Sequence, residues 1–234
     1  NLLNFQPFKI IHNLDIFLYN SKNMKLKLFL ISIPIILITM FILVKHNKAW
    51  IISTYNEYRP MLLSGGGEEC LTDLKQIQAS YKLIGNAGTA SCPILNAVRV
   101  TSYANTTLSS PFIVSCPTAL SVGNWLEDIK AKSIGHVGTI NCRSRRGSGL
   151  QSEHSFGIAI DITRIDDAVI KRDWKQSNTK GKKLRQAAKS ACNYFSNVLT
   201  PYSNRLHHDH FHLDNGIGFN CHAEKKHKLF SRLS

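Results

Sequence analysis

The chain has 234 residues, with 29 Lys and Arg against 15 Asp and Glu, so its formal net charge is +14. An apolar content of 43% excludes a chain that is disordered throughout, and the length allows one ordinary domain with additional segments. The positive charge favours anionic surroundings. The sequence nevertheless lacks zinc-finger spacing, helix-turn-helix signals and a basic stripe with interleaved aromatic residues, so no nucleic-acid partner is expected.

Near the N-terminus, residues 28–44 (LFLISIPIILITMFILV) form an uninterrupted apolar run with lysines on both sides. The run is apolar on every face, which disfavours an amphipathic core helix and suits insertion into a membrane. We predict an uncleaved signal anchor over residues 24–48, because no clear small-x-small cleavage site follows, and a cleaved signal peptide is the alternative. Residues 1–23 precede Met24, a natural start for such a signal, and are interpreted as an extension of doubtful significance.

After the apolar run, the sequence SGGGEE at 64–69 predicts a flexible joint. It divides the chain into a linker over 49–69, a folded domain over 70–222 and a short basic tail over 223–234. The domain is predicted to belong to the α+β class. Its predicted elements, in chain order, are a helix at 71–83, a strand at 98–103, a helix from Pro117 to about 131, a strand at 137–142 and a helix at 182–199.

Six cysteines are spread through the predicted domain, and none form a C-x-x-C pair. An even number of dispersed cysteines favours disulfides and an oxidising compartment, with buried free thiols as the alternative. We predict pairs between neighbours in the sequence, such as Cys192 with Cys221. Together with the apolar run, this predicts a domain in the cell envelope. It would be anchored in the inner (cytoplasmic) membrane through residues 28–44 and lie in the periplasm or outside.

The first segment that indicates chemistry is SEHSFGIAIDI at 152–162. Isoleucines at 158, 160 and 162 alternate with Gly157, Ala159 and Asp161, which predicts a strand with one apolar face and one face of small residues. A carboxylate inside an apolar strand must be paired or bound, so Asp161 is a candidate metal ligand. Gly157 and Ala159 are expected to leave open space beside it. His154 precedes the strand by one short turn and can fold back toward Asp161.

The second segment is HHDHFHLD at 207–214. A period of two places His208, His210, His212 and Asp214 on one face of a strand. Two imidazoles and one carboxylate from the two segments could bind one zinc ion and leave a position for water. Zinc lowers the pKa of such a water to about 7 and polarises a carbonyl group. The two segments together predict a hydrolytic metal centre.

The spacing Ser152-x-His154-x-x-Gly157-x-Ala159-x-Asp161, followed by His210-x-His212, resembles the LAS metallopeptidases. That group includes D-Ala-D-Ala carboxypeptidases, lysostaphin-type endopeptidases and the hedgehog-like zinc fold. The stretch from about Cys70 to Cys221 resembles the bacterial extensin-like C-terminal domain family more closely, through CPILNAVRVT, INCRSR, SEHSFGIAIDI and HHDHFHLD. The resemblance implies a small antiparallel sheet that carries the zinc site and is flanked by helices.

The same resemblance implies a role for each site residue. Zinc would be bound by His154, Asp161 and His212. Substrate would be held by Arg143, after the strand at 137–142, and by Ser152 of the motif. Carboxypeptidase members have a glutamate three residues before the last ligand, where this chain has the shorter Asp209. We therefore expect His210 to act on the attacked water first, with Asp209 as the second candidate.

These residues predict a zinc-dependent peptidase that hydrolyses peptide bonds in peptidoglycan, either as a D-Ala-D-Ala-type carboxypeptidase or as an endopeptidase. The bond that is cut is not encoded in any residue of the motif. The alternative is a non-catalytic zinc-containing module that binds the cell wall. A secreted nucleic-acid-binding protein would rest on the charge alone.

Overall fold

The computed structural model describes residues 48–63 and 67–223, together with the single positions Ile33 and Leu37. The predicted extension, the rest of the predicted anchor and the tail after Ala223 lie outside the described residues. None of the helices in the described part of the chain is long and apolar enough to span a membrane. The chain divides into two compact units, residues 1–53 and 54–234, and the candidate site lies within the second.

Helices and strands alternate irregularly along the described residues, as an α+β fold requires. The α-helices are α1 Lys48–Leu63, α2 Glu68–Gln76, α3 Cys116–Asp128, α4 Ile170–Asp173 and α5 Thr179–Ala191. Two 3-10 helices cover Glu153–Phe156 and Arg205–His207. The strands are β1 Ser80–Thr89, β2 Cys92–Tyr103, β3 Thr106–Ser115, β4 Ser133–Gly138, β5 Ala159–Ile165, β6 Ala168–Val169, β7 Asn197–Leu199, β8 Phe211–Asp214 and β9 Asn220–Cys221.

The described strands form one mixed sheet in the order β1-β2-β3-β4-β5-β8-β7-β9, with β6 paired to β5. Most neighbours are antiparallel, but β3 with β4 and β7 with β9 are parallel. The expectation of a small antiparallel sheet therefore holds for β5 and β8, but the sheet as a whole is larger and mixed. Helix α3 carries the chain from the end of β3 back to the start of β4, and such a crossover makes the two strands run in the same direction.

The core lies between one face of this sheet and the helices α3 and α5. Ile160 and Ile162 of β5 and Leu213 of β8 are fully buried in it. Trp125 of α3 is also fully buried, and its indole N–H donates to the Ala187 carbonyl of α5 at 3.0 Å. Because side chains alternate across a strand, this packing turns the intervening residues of β5 and β8 to the other face.

The predicted strand at 98–103 and the helix after Pro117 are confirmed, as parts of β2 and α3. The helix predicted at 71–83 is wrong beyond Gln76. The backbone of Gln78 is left-handed, with φ 54°, and the chain then enters β1, where Ser80 pairs with Ser102. Pairing with β2 outweighs the helical pattern at this point.

The helix predicted at 182–199 begins earlier and ends earlier than expected. It starts at Thr179, where the side chain of Asn178 caps it by accepting the Gly181 N–H at 3.0 Å, and it ends at Ala191. Val198 and Leu199 belong instead to β7, which pairs with β8. The apolar residues of this stretch are buried, except that Cys192 and Leu199 are only partly buried, and the last of them lie in a turn and a strand.

The strand predicted at 137–142 is displaced toward the N-terminus. Strand β4 ends at Gly138, and the chain leaves the sheet so that the Asn141 N–H donates to the His154 carbonyl at 3.2 Å. The strand predicted from the alternation at 157–162 is confirmed from Ala159 onward. The short turn predicted before it is the 3-10 helix that carries His154.

All six cysteines form disulfides, as predicted, and the bond between Cys192 and Cys221 is confirmed. Pairing between neighbours is wrong for the other four, because the bonds interleave. Their pairs are Cys70 with Cys116 and Cys92 with Cys142. The first of these ties α2 to α3, and the second ties the start of β2 to the loop that follows β4. Closing a loop of 46 residues stabilises the fold by about 4 kcal/mol in the chain-entropy model.

Candidate metal centre

The candidate site lies on the face of the sheet opposite the helices, where β5 and β8 run side by side. Asp161 of β5 pairs directly with His212 of β8, so their side chains are cross-strand neighbours on the same face. His154 comes from the 3-10 turn that precedes β5 and folds back over the strand, as predicted. The three candidate ligands are thereby brought together from two segments that are 58 residues apart at their widest separation.

Gly157 ends that turn in the left-handed conformation, with φ 63°. A Cβ atom placed on it would lie 2.7 Å from Cγ2 of Ile94 and 3.3 Å from the backbone nitrogen of Ser115. The missing side chain therefore gives room to Ile94, and the expectation that Gly157 opens space beside Asp161 is wrong. Glycine is needed here because it allows both the positive φ and the close approach of Ile94.

Three ligand atoms converge at the centre of the site. Nε2 of His154 lies 3.1 Å from Nδ1 of His212 and 3.2 Å from Oδ2 of Asp161. Nδ1 of His212 lies 3.0 Å from Oδ1 of Asp161. Both imidazoles are almost fully buried, at 4% and 8% exposed, whereas Asp161 is partly accessible.

The outward nitrogens of both imidazoles face oxygen acceptors. Nδ1–H of His154 donates to the Thr139 carbonyl at 3.3 Å, and Nε2–H of His212 donates to Oδ2 of Asp214 at 3.0 Å. Asp214 is held in turn by Asn197, whose side-chain amide donates to Oδ1 at 2.7 Å. These contacts fix the ring orientations and leave the inward nitrogens as lone-pair acceptors in the neutral rings.

Two neutral imidazole nitrogens and a carboxylate facing one another have no donor among them, so the cluster requires a cation or added protons. Two ligand atoms at about 2.0–2.1 Å from one zinc ion and at the tetrahedral angle lie about 3.3–3.4 Å apart. The observed separations of 3.0–3.2 Å are close to that value. His154, Asp161 and His212 could therefore hold one metal ion with little movement.

Without a metal, protons take its place at this cluster. Burial disfavours the charged form of His212, but hydrogen bonds with Asp161 and Asp214 and the attraction of both carboxylates outweigh it and raise the pKa of His212 to about 10. Burial alone would raise the pKa of Asp161, yet hydrogen bonds from His154 and His212 hold that pKa far below its usual range. The site is thus arranged for one positive charge beside an ionised carboxylate.

His210 and Asp209 form a pair beside the ligands. Nδ1–H of His210 donates to Oδ1 of Asp209 at 2.8 Å, while Nε2 of His210 lies 3.7 Å from Oδ1 of Asp161. The strand begins only at Phe211, so His210 reaches the site from the preceding turn. His208 does not join it. Its side chain is 58% exposed, and its ring Nδ1–H donates to the Arg205 carbonyl at 3.0 Å, so the expectation of a shared strand face is wrong for this residue.

The cluster opens into a groove of about 680 Å³. Arg143 and Ser152, the predicted substrate contacts, both line the groove, and Arg143 is exposed. Arg145 also lines it and forms an ion pair with the buried Glu153, in which its Nε donates to Oε2 at 3.0 Å. The groove is therefore lined by the cluster of His154, Asp161 and His212 and by the arginines Arg143 and Arg145.

Several residues of the site were not assigned a role from the sequence. Asp214 was placed on the ligand face by the period of two, but its bond to the outward nitrogen of His212 was not foreseen. His207 also lines the groove, and its ring centroid lies 5.7 Å from that of His212. Burial lowers the pKa of His207 to about 4, and electrostatic interactions with His212 and His210 lower it further. Thr139 acts through its carbonyl, which no side-chain pattern could identify.

The fold and site define an α+β domain whose sheet carries a buried cluster of two histidines and one aspartate at the floor of a groove. A family model described as Extensin-like protein C-terminus matches residues 68–222, about two thirds of the chain. The chain belongs to this family, as its sequence segments predicted. A search of curated proteins and a search of solved structures each found no match to the chain.

Proposed function

We propose that the chain is a zinc-dependent peptidase that hydrolyses peptide bonds in peptidoglycan. The observation that carries the proposal is the convergence of Nε2 of His154, Nδ1 of His212 and the carboxylate of Asp161 within 3.0–3.2 Å of one another. Their position at the floor of an open groove supports a catalytic rather than a closed structural site, because a substrate could approach the proposed ligands. The resemblance of the motif to LAS metallopeptidases supports the same reaction class.

In this proposal His154, Asp161 and His212 hold the zinc ion, which when bound supplies an activated water and polarises the scissile carbonyl. The hydrogen bonds from His154 to Thr139 and from His212 to Asp214 keep each lone pair directed inward. Such outer partners orient the ligand rings and increase their basicity. Because both rings are buried, their orientations are fixed, and this favours binding of the zinc ion at the position to which the ring nitrogens already point.

His210 is the proposed general acid and base. Asp209 accepts the Nδ1–H of His210, which leaves Nε2 of that ring free to exchange a proton on the side of Asp161. The side chain of His210 is 17% exposed and that of Asp209 is 40% exposed, so the imidazole is the more deeply placed of the two. We assign the proton transfer to His210 and an orienting role to Asp209.

Arg143 and Ser152 are the proposed substrate contacts, since both line the groove beside the cluster. The basic side chains of the groove wall suit an acidic peptide from the cell wall. We further propose that residues 28–44 anchor the chain in the inner membrane, with the domain in the periplasm or outside. The three disulfides support an oxidising location for the domain.

Muropeptide analysis tests the proposal. The purified chain is incubated with zinc and peptidoglycan, and the soluble products are separated and identified by mass. We expect loss of a terminal residue or cleavage of cross-links with the wild type, and no product with His154→Ala. If the wild type sediments with peptidoglycan but releases nothing, the chain is a wall-binding module and the peptidase proposal fails.

A further inference from the structure

Helix α1 contacts a hairpin beside the groove although this helix lies outside the residues matched by the family model. The side-chain amide of Asn56 donates to the Gly149 carbonyl at 3.1 Å, and its oxygen accepts the Gln151 N–H at 3.2 Å. One side chain thus bonds both a donor and an acceptor of the same backbone strand. The contact lies within the compact unit of residues 54–234.

The backbone that Asn56 holds belongs to a hairpin over residues 143–152, here called the arginine hairpin. Its two arms are joined by a bridge between Ser144 and Gln151 and by the Arg145 N–H, which donates to the Leu150 carbonyl at 2.9 Å. A further bond runs from the Ser152 N–H to the Arg143 carbonyl at 2.9 Å. The hairpin is a small two-stranded unit, and isolated units of this kind are only marginally stable.

The arginine hairpin carries the basic part of the groove wall. Arg143, Arg145 and Arg146 all line the groove, and the ion pair of Arg145 with Glu153 ties the hairpin to the residue beside His154. Near its tip Gly147 is left-handed, with φ 74°, so the turn itself is permissive. The position of the arginines beside the cluster therefore depends on contacts from outside the hairpin. These include the ion pair of Arg145 with Glu153, the bonds of the Arg143 backbone with the Ser155 hydroxyl, and the two bonds of Asn56.

We infer that Asn56 of α1 is a positioning residue that holds the arginine hairpin, and with it the substrate side of the groove, over the candidate metal centre. The inference rests on the proposed function, because the substrate is the peptide named there. It deepens that function by assigning a part in the site to a residue from outside the matched family domain. The predicted linker over 49–69 thereby contributes one residue, Asn56, that contacts the hairpin of the groove wall. Asn56 acts through the hairpin and does not itself belong to the metal cluster.

Two variants and a control separate this role from a general loss of stability. Asn56→Ala removes both hydrogen bonds, and Asn56→Asp keeps the acceptor for the Gln151 N–H while losing the donor to Gly149. Ser53→Ala removes an exposed side chain from the same helix and is the matched control. All variants are compared as full-length chains loaded with zinc.

The first measurement is limited trypsin digestion, because the hairpin contains three cleavable arginines. Loss of one neutral hydrogen bond changes an opening equilibrium by about fivefold, so loss of both bonds corresponds to about 30-fold faster cleavage. We expect this acceleration in Asn56→Ala, an intermediate rate in Asn56→Asp, and the wild-type rate in Ser53→Ala. Unchanged cleavage in Asn56→Ala overturns the inference.

The second measurement is binding and hydrolysis of a soluble muropeptide. We expect a weaker Kd and a raised KM in Asn56→Ala, with kcat and zinc content close to wild type, because the hairpin contacts substrate and not the metal. Faster trypsin cleavage with unchanged Kd and KM overturns the substrate role. If the wild type neither binds nor cleaves the muropeptide, the proposed function fails, and the trypsin result alone decides whether Asn56 holds the hairpin.

Discussion

Replacing Asp214 with Asn tests whether the outer contacts of the cluster set its affinity for zinc. The wild-type carboxylate is an acceptor on both sides. Oδ2 accepts from His212 at 3.0 Å, and Oδ1 accepts from the Asn197 side chain and the Gly216 N–H, each at 2.7 Å. An Asn side chain has the same shape but offers one acceptor oxygen and one donor amide. In either orientation, the amide N–H groups of the new side chain point toward other hydrogen-bond donors, on His212 in one case and on Asn197 and Gly216 in the other.

Both orientations of the substituted residue weaken the site. With the amide toward His212, the imidazole loses the acceptor that fixes its tautomer, and with the amide toward Asn197, two buried donors lose their partner. Asp214 is only 3% exposed, so water has little access to replace the lost contact. Loss of an outer partner of a metal-binding histidine lowers metal affinity by about 10–100-fold, or about 1.4–2.8 kcal/mol.

Competition with a chromophoric zinc chelator measures this effect directly as a change in Kd. Asp209→Asn is the matched control, because it makes the same chemical change at a residue that bonds His210 and not a proposed ligand. We expect its Kd for zinc to remain at the wild-type value while hydrolysis falls. A wild-type Kd in Asp214→Asn, or an equal loss of affinity in both variants, would refute the reasoning.

Three further measurements probe ligand protonation, the last disulfide and the orientation of the chain. Zinc binding near neutral pH should release about one proton per ion, since the pKa of His212 is raised to about 10 without metal and the ligand must be neutral to bind. Titration calorimetry in buffers of different ionisation enthalpy measures the proton, and no release would contradict the arrangement. Replacing Cys192 and Cys221 together with Ser should lower the free energy of unfolding by about 3–4 kcal/mol, as measured by urea denaturation. An unchanged midpoint would show that this bond does not constrain the unfolded chain. Alkaline phosphatase fused after Ser234 should be active if residues 28–44 anchor an external domain. A fluorescent protein that folds only in the cytoplasm should be dark at the same position. Fluorescence together with inactive phosphatase would show the opposite orientation.

The convergence of His154, Asp161 and His212 could be predicted from sequence because each of their two segments is local. His154 and Asp161 are separated by one turn and the start of one strand, and the alternation of isoleucines around Asp161 marks its face. His212 follows from the same reasoning on β8. What the pattern could not give is the outer contact of each ring, since the bond from His212 to Asp214 depends on a ring orientation and the bond from His154 to Thr139 involves a carbonyl.

The parts of the fold that could not be predicted are those decided by distant contacts. The helical pattern at 71–83 is interrupted because β1 pairs with β2, and the pattern at 182–199 ends early because Val198 joins the strand beside β8. The interleaved bonds of Cys70 and Cys92 depend on how α2 and β2 lie against later segments. Six cysteines allow 15 pairings, and spacing alone does not choose among them.

The zinc content of the purified chain and its single variants tests the central claim most directly. Metal analysis should find about one zinc per chain in the wild type and in His210→Ala, which retains the three proposed ligands. The variants His154→Ala, Asp161→Ala and His212→Ala should each lose the metal, and His210→Ala should lose hydrolysis while keeping it. Stoichiometric zinc in all three ligand variants, or none in the wild type, would contradict the account.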